Sequence, residues 1–357
     1  MYERPYLKNL NGLRFIAASY TIFFHYFSIP GADFLNNFFM HGHISVPFFF
    51  LLSGFVLSYS YQDYPFEKVG NIKRYITNRF IRLAPIYYIA MMLALPLLIY
   101  NQRTEELSLV KNVFYSFMHL SFAHSIIPIK ELMNFWNIHS WSLSVEMFLY
   151  FCSPILILKV SSFNFKHILY SLALLLIINS IIFFYFSGYF TKSIAISNHF
   201  APLYFATFFN GIVLARLFLL KKSFFDRFSS LSFLISSVLL IVSFFANLNK
   251  EFYSAFNPFF HISFSLLILS SSTENNFNRF LGNKTFFFLG EASYAMYILQ
   301  APVKFYTQQF LSKVVGYMKF DGFLFNLTIY SAILIGAIIL STYIDPPARK
   351  YLKKKLL

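Results

Sequence analysis

The chain has 357 residues, 57% hydrophobic and 22% aromatic but only 12% charged, where a soluble domain carries about 25% charged residues. That deficit and a mean hydropathy of +0.58 exclude a solvated globular enzyme, a disordered chain and a coiled coil. The formal charge of +15 reports loop placement and an anionic inner leaflet rather than nucleic acid, because in a polytopic chain positive loops set orientation.

A bilayer crossing takes about 20 apolar residues. Apolar runs near that length predict ten spans, in order Leu10–Ile29, Phe38–Tyr61, Phe80–Tyr100, Ser140–Val160, His167–Ser187, Phe200–Leu220, Leu231–Leu248, Phe256–Ser272, Phe286–Phe310 and Phe323–Ile344. The first run is too long for a signal-peptide core and no small-residue cleavage site follows it, so it is a retained span. With the N-terminus inside, the inner segments hold 21 basic residues and the outer ones 8, namely Arg103, Lys111, Lys130, Lys192, Lys250, Lys304, Lys313 and Lys319. This bias predicts an all-α polytopic membrane protein, one transmembrane domain over 1–357, with both termini cytoplasmic. The longest loop, Asn101 to His139, then lies outside, and its apolar stretch Val110–Ser125 predicts an interfacial helix. Cys152 is the sole cysteine, so no intramolecular disulfide forms.

Charged groups inside spans are costly and mark functional positions by default. In the first span Arg14 and His25 are eleven positions apart, about 1100° of rotation, so they share a face with His25 about 16 Å further along. Such a stripe suits an anion at the inner end and a titratable group deeper in the membrane; snorkelling of Arg14 and a hydrogen-bonded His25 is the equal alternative. Ser53 and Gly54 sit mid-span, where Gly54 permits close helix approach. Arg79 and Arg82 open the third span at i,i+3 and suit bidentate phosphate binding or a positive-inside anchor. Ser142 and Glu146 share a face of the fourth span, and a carboxylate there needs a partner or a proton. The run Gly290 to Gln300 opens the ninth span with polar groups near one face. His41, His43, His119, His124 and His139 show no convincing ligand spacing, so no metal is expected.

In order, Leu10-Asn-Gly-Leu-Arg14 with His25, Phe49 to Phe55, Arg79-Phe-Ile-Arg82, Trp141-Ser-Leu-Ser-Val-Glu146, Gly290 to Tyr297 and Tyr343-Ile-Asp-Pro-Pro-Ala-Arg349 resemble the acyltransferase-3 family of membrane O-acyltransferases, over the whole chain. The resemblance implies about ten spans in a bacterial inner membrane. It implies an acyl group, acetyl first and succinyl second, moved from cytoplasmic acyl-CoA to a hydroxyl of an extracytoplasmic or lipid-linked glycan. By position it makes His25 the essential histidine, Arg14 its paired basic residue, and Arg79 and Arg82 the pair meeting the CoA phosphates, with Ser53, Gly54 and Glu146 at further characteristic positions. Departures are Asn11 for a frequent Asp, Met147 for a second Glu, Gln300 for a frequent His and Asp345 for a common Glu.

The expected chemistry follows. A neutral His25 serves as general base, or as the site of a transient acyl-histidine, and Glu146 orients it or stabilises the imidazolium. With about a dozen residues beyond the last span, no fused extracytoplasmic domain is expected, so transfer occurs within the membrane domain or passes to separate glycan-assembly proteins. A polysaccharide exporter or flippase is the rival reading, followed by a non-catalytic scaffold.

Overall fold

The computed structural model describes residues 4–27, 29, 31–104, 108–189, 199–246, 256–274, 276–315 and 322–357, and every regular element among them is helical. Lys192, Lys250 and Lys319, used above to orient the chain, lie outside the described residues. Among the described residues, five helices are long and apolar enough to cross a membrane: Asp33–Tyr61, Ile138–Ser161, Phe165–Phe183, Ala201–Leu220 and Phe323–Leu356. Ser229–Phe245 and Pro258–Ser271 are apolar but shorter. The other expected spans coincide with helices that are broken or more polar. The first of these, α1 (Asn9–Tyr26), carries Asn9, Asn11, Arg14 and His25 within 18 residues.

Helix α2 (Asp33–Met40) passes through a 3-10 turn into α3 (Ser45–Tyr61). Helix α4 runs Asn71–Leu93 and stops at Ala94, just ahead of Pro96, which has no N–H for the carbonyl of Met92 four residues back. A shorter α5 (Leu95–Thr104) follows. The stretch expected to form an interfacial helix is helical as α6 (Leu109–Leu120), with Val110, Val113 and Phe117 exposed along one side and Tyr115, Met118 and His119 buried on the other. After α7 (Lys130–Asn134), α8 occupies Trp141–Ser161 and α9 Phe165–Tyr189.

Two glycines set the tightest contact in the bundle. A Cβ on Gly54 of α3 would lie 2.1 Å from the Phe208 carbonyl oxygen, and one on Gly211 would lie 2.0 Å from that of Leu51. Both neighbours belong to facing turns of α3 and α10 (Phe205–Leu220), so the two backbones touch where small residues permit it. Helices α11 (Lys222–Arg227), α12 (Ser229–Ala246), α13 (Pro258–Ser271) and α14 (Asn276–Leu281) complete that side.

The ninth expected span is not one helix. It breaks at Leu299 into α15 (Lys284–Ile298) and α16 (Gln300–Val315). Pro302 has no N–H for the carbonyl of Ile298, four residues back, and that carbonyl instead accepts from Asn137 Nδ2 at 3.0 Å. The last span behaves similarly. Helix α17 (Phe323–Ile339) continues through a π turn at Leu340–Ile344 into α18 (Asp345–Leu356), where Pro346 and Pro347 remove two consecutive donors. π turns within helices frequently sit at functional sites.

Candidate functional site

A cavity of about 1130 Å³ opens among the N-terminal segment, α1, α3, α4, α8 and α15. Six arginines line it, Arg4, Arg14, Arg74, Arg79, Arg82 and Arg349, against three carboxylates, Asp63, Glu146 and Glu291. Most of that negative charge is already engaged. Arg4 forms an ion pair with Asp63 and also donates to the Tyr59 carbonyl at 2.5 Å. Glu146 accepts from the Tyr150 hydroxyl and, at 3.4 Å, from Ser53 Oγ. Glu291 accepts from Asn11 Nδ2 at 2.8 Å. The cavity therefore presents a surplus of guanidinium to whatever enters it, which is anion-binding chemistry.

The arginines are held by different means. Arg79 donates to the Tyr61 hydroxyl at 3.0 Å and lies 5.3, 5.6 and 6.0 Å from the ring centroids of Tyr61, Tyr75 and Tyr150. Those rings hold the guanidinium plane by cation–π attraction. Arg82, one turn on, faces the cavity with no hydrogen bond to protein among the described residues. Arg14 reaches Asn11 Oδ1 at a long 3.5 Å. Arg349 forms an ion pair with Asp345 at 2.5 Å, and of the two Arg349 lines the cavity.

Tyr6, ahead of α1, closes part of the same opening. Its hydroxyl lies 3.3 Å from both Asn11 Oδ1 and Glu291 Oε1. Burial and the Glu291 charge hold its phenol above the ordinary range, so it remains a donor. This cluster explains Asn11: at a position where an acid was expected by resemblance, the amide bonds to Glu291 from the opposite helix, and the carboxylate is supplied by α15.

The sequence placed Ser53 and Gly54 together, but the structure separates them. Ser53 lines the cavity; Gly54 is spent on the α3–α10 contact and does not line it. Glu146 was expected to orient His25, and it does not. Its partners are Ser53 and Tyr150, with Arg82 nearby, whereas Nδ1 of His25 meets Gln300 Oε1 at 2.7 Å. Arg14, Arg79, Arg82, Ser53 and Glu146 share one cavity, and His25 does not line it. Between them are Ser142 and Tyr297, which line the cavity, and His139, whose ring centroid is 5.9 Å from that of Tyr297 and 4.6 Å from that of His25.

Three contributors were not singled out from sequence: the tyrosines around Arg79, Arg349, and His139 as neighbour of His25. Tyrosines are frequent here and carry no spacing signal. Arg349 was visible only as the last residue of a matching stretch. His119 and His124, which show no ligand spacing in the sequence, stack at 3.9 Å and are joined through Ser140, whose Oγ lies 3.1 Å from His124 Nε2. They brace the α6 segment rather than the site.

A family model described as an acyltransferase domain matches residues 7–345 of the chain. No curated protein and no solved structure matches it.

Proposed function

Since the chain belongs to the acyltransferase-3 family and is a membrane acyltransferase, we propose that it moves an acyl group, acetyl in the first instance, from cytoplasmic acyl-CoA to a hydroxyl of an extracytoplasmic or lipid-linked glycan. The observation that carries this reading is the arginine-lined cavity ending one imidazole short of His25. A donor with a pyrophosphate and a further phosphate needs several guanidinium partners, and a thioester at the end of a long arm needs a closed, narrow end in which to react.

In this reading the cavity opens to the cytoplasm in the membrane of a bacterial cell, the ten spans stand with both termini inside, and the positive-inside count supports that orientation. Arg82 and Arg14 meet donor phosphates with unspent hydrogen-bonding capacity, and Arg79 provides a fixed charge beside them. Gln300 Oε1 accepts from His25 Nδ1, so Nε2 carries the lone pair. Nε2 takes the proton of the acceptor hydroxyl as its oxygen attacks the thioester carbonyl; the C–O bond forms and the C–S bond breaks. Glu146 keeps Arg82 and the Tyr150 hydroxyl in place rather than acting on His25.

The test uses membranes that contain the glycan acceptors of the source cell, carrying wild type or His25→Ala at matched protein levels and supplied with isotope-labelled acetyl-CoA. His25-dependent label in the glycan fraction is the expected result. Equal label in both membranes overturns the role of His25. A glycan that changes location but not mass would instead support the exporter.

A further inference from the structure

Resting on that reading, we propose that Lys304 is an acceptor-binding residue and that the acceptor is anionic: the glycan or lipid-linked sugar carries a carboxylate or phosphate that pairs with this ammonium while its hydroxyl meets His25. The placement comes from two helices. On α1 the arginine cavity is lined as far as Arg14, and His25 lies further along; on α15 it is lined as far as Tyr297, and the chain runs on to Gln300, which holds His25. Lys304 follows Gln300 by four residues on α16, hence on the same helix face and about 6 Å further along the axis. It therefore stands on the side of His25 away from the arginines.

A lysine near the end of a span ordinarily extends its ammonium to the headgroups. Lys304 instead turns inward: it is half-buried, its Nζ lies 5.0 Å from the ring centroid of Tyr26, and that ring is 5.9 Å from the ring of His25. A cation at such depth is costly without a counter-charge. Among the described residues Lys304 joins no ion pair, and the face of Tyr26 offsets only part of the cost. The donor's phosphates are met by guanidinium groups on the other side of His25, so the anion that suits Lys304 belongs to the other substrate. The reaction gives the pairing a second use. Lys304 is the cation acting on His25, and unpaired it opposes the imidazolium that forms as the hydroxyl loses its proton. A carboxylate or phosphate held at Lys304 cancels that opposition, so His25 is an effective base when the acceptor is in place.

The test isolates the glycan that wild-type membranes label from isotope-labelled acetyl-CoA and removes its esters with mild alkali. That glycan is offered to detergent-solubilised wild type, Lys304→Gln and Lys304→Arg in four forms: untreated, carboxyl-reduced, stripped of phosphate with hydrofluoric acid, and treated both ways. On untreated glycan Lys304→Gln is expected to raise the acceptor KM by about 10- to 100-fold, with the KM for acetyl-CoA within about 2-fold of wild type, and Lys304→Arg is expected to keep most of the affinity. The treatment that abolishes the difference between wild type and Lys304→Gln names the anion: carboxyl reduction an acidic sugar, phosphate removal a phosphorylated or lipid-phosphate-linked one. Equal acceptor KM for wild type and Lys304→Gln on untreated glycan overturns the proposal, as does a difference that survives both treatments, which is the mark of packing. Either result leaves acyl transfer standing. Absence of label with wild-type membranes overturns the acyl-transfer reading, and the role of Lys304 falls with it.

Discussion

His25 and Gln300 face each other across α1 and α16, with Nδ1 and Oε1 2.7 Å apart. An amide oxygen is an acceptor and cannot take the proton, so the contact selects the tautomer protonated at Nδ1 and leaves Nε2 as the basic atom. Gln300→Leu removes this selection while preserving volume. We expect a loss in kcat of about 10²-fold with the donor KM nearly unchanged, measured as initial rates of label transfer; a kcat within 2-fold of wild type would contradict the orienting role.

Arg82 and Arg79 should respond differently to substitution. Arg82 faces the cavity without a protein hydrogen bond among the described residues, and charge-assisted bonds contribute about 1.5–3 kcal/mol each. Arg82→Ala should therefore raise the KM for acetyl-CoA by roughly 10- to 100-fold. Arg79→Lys keeps the charge but loses the planar fork stacked among three tyrosines, and should not restore wild-type binding. Titrating the donor against each variant measures both.

Gly54→Ala should act on the fold and not on donor affinity. The new methyl would meet the Phe208 carbonyl at 2.1 Å, a backbone atom that cannot swing aside, and overpacking of this kind typically costs about 1–3 kcal/mol or more. The expected outcome is less folded protein and a lower unfolding temperature in detergent, with an unaltered KM in the fraction that survives. A raised KM at normal stability would return Gly54 to the binding site.

Acid should destabilise the α6 segment. Burial depresses His119 to about 4 and holds His124 well below the ordinary range, helped by the His119 charge. Both are neutral when folded and bind protons more readily when unfolded, so unfolding takes up protons as pH falls below about 6.5. Their stabilising contribution is present in full above that value and shrinks progressively toward pH 4. Unfolding temperature recorded from pH 7.5 to 4.5 should fall across this window, and His124→Gln should flatten the curve. A pH-independent profile in wild type would refute the assignment.

Much of this was legible in the amino-acid order. Each of the ten apolar runs coincides with helix, because burying a backbone in lipid leaves the helix as the way to satisfy its own polar groups, whereas the short α7, α11 and α14 and the basic α18 fall outside those runs. The i,i+3 spacing of Arg79 and Arg82 correctly brought them to one region, since neighbours on a helix face are a local matter. The breaks were less legible. Pro302 was in view, yet the run Phe286–Phe310 reads as one span, because hydropathy averages over a proline that interrupts a single hydrogen bond.

The sequence by itself determined an all-helical membrane protein and the shared stripe of Arg14 and His25, which follow from composition and from spacing within one helix, and the family, which follows from the resemblance of several motifs in order along the chain. Tertiary structure decided which groups meet across helices: Gln300 rather than Glu146 at His25, Glu291 against Asn11, Gly54 against Phe208, and His139 against both His25 and the cavity-lining Tyr297. Those contacts depend on how helices distant in sequence rotate and pack. Close packing of the Gly54–Gly211 kind, and the Ile298 carbonyl freed by Pro302 and captured by Asn137, select that arrangement, and neither partner's position along the chain announces the other.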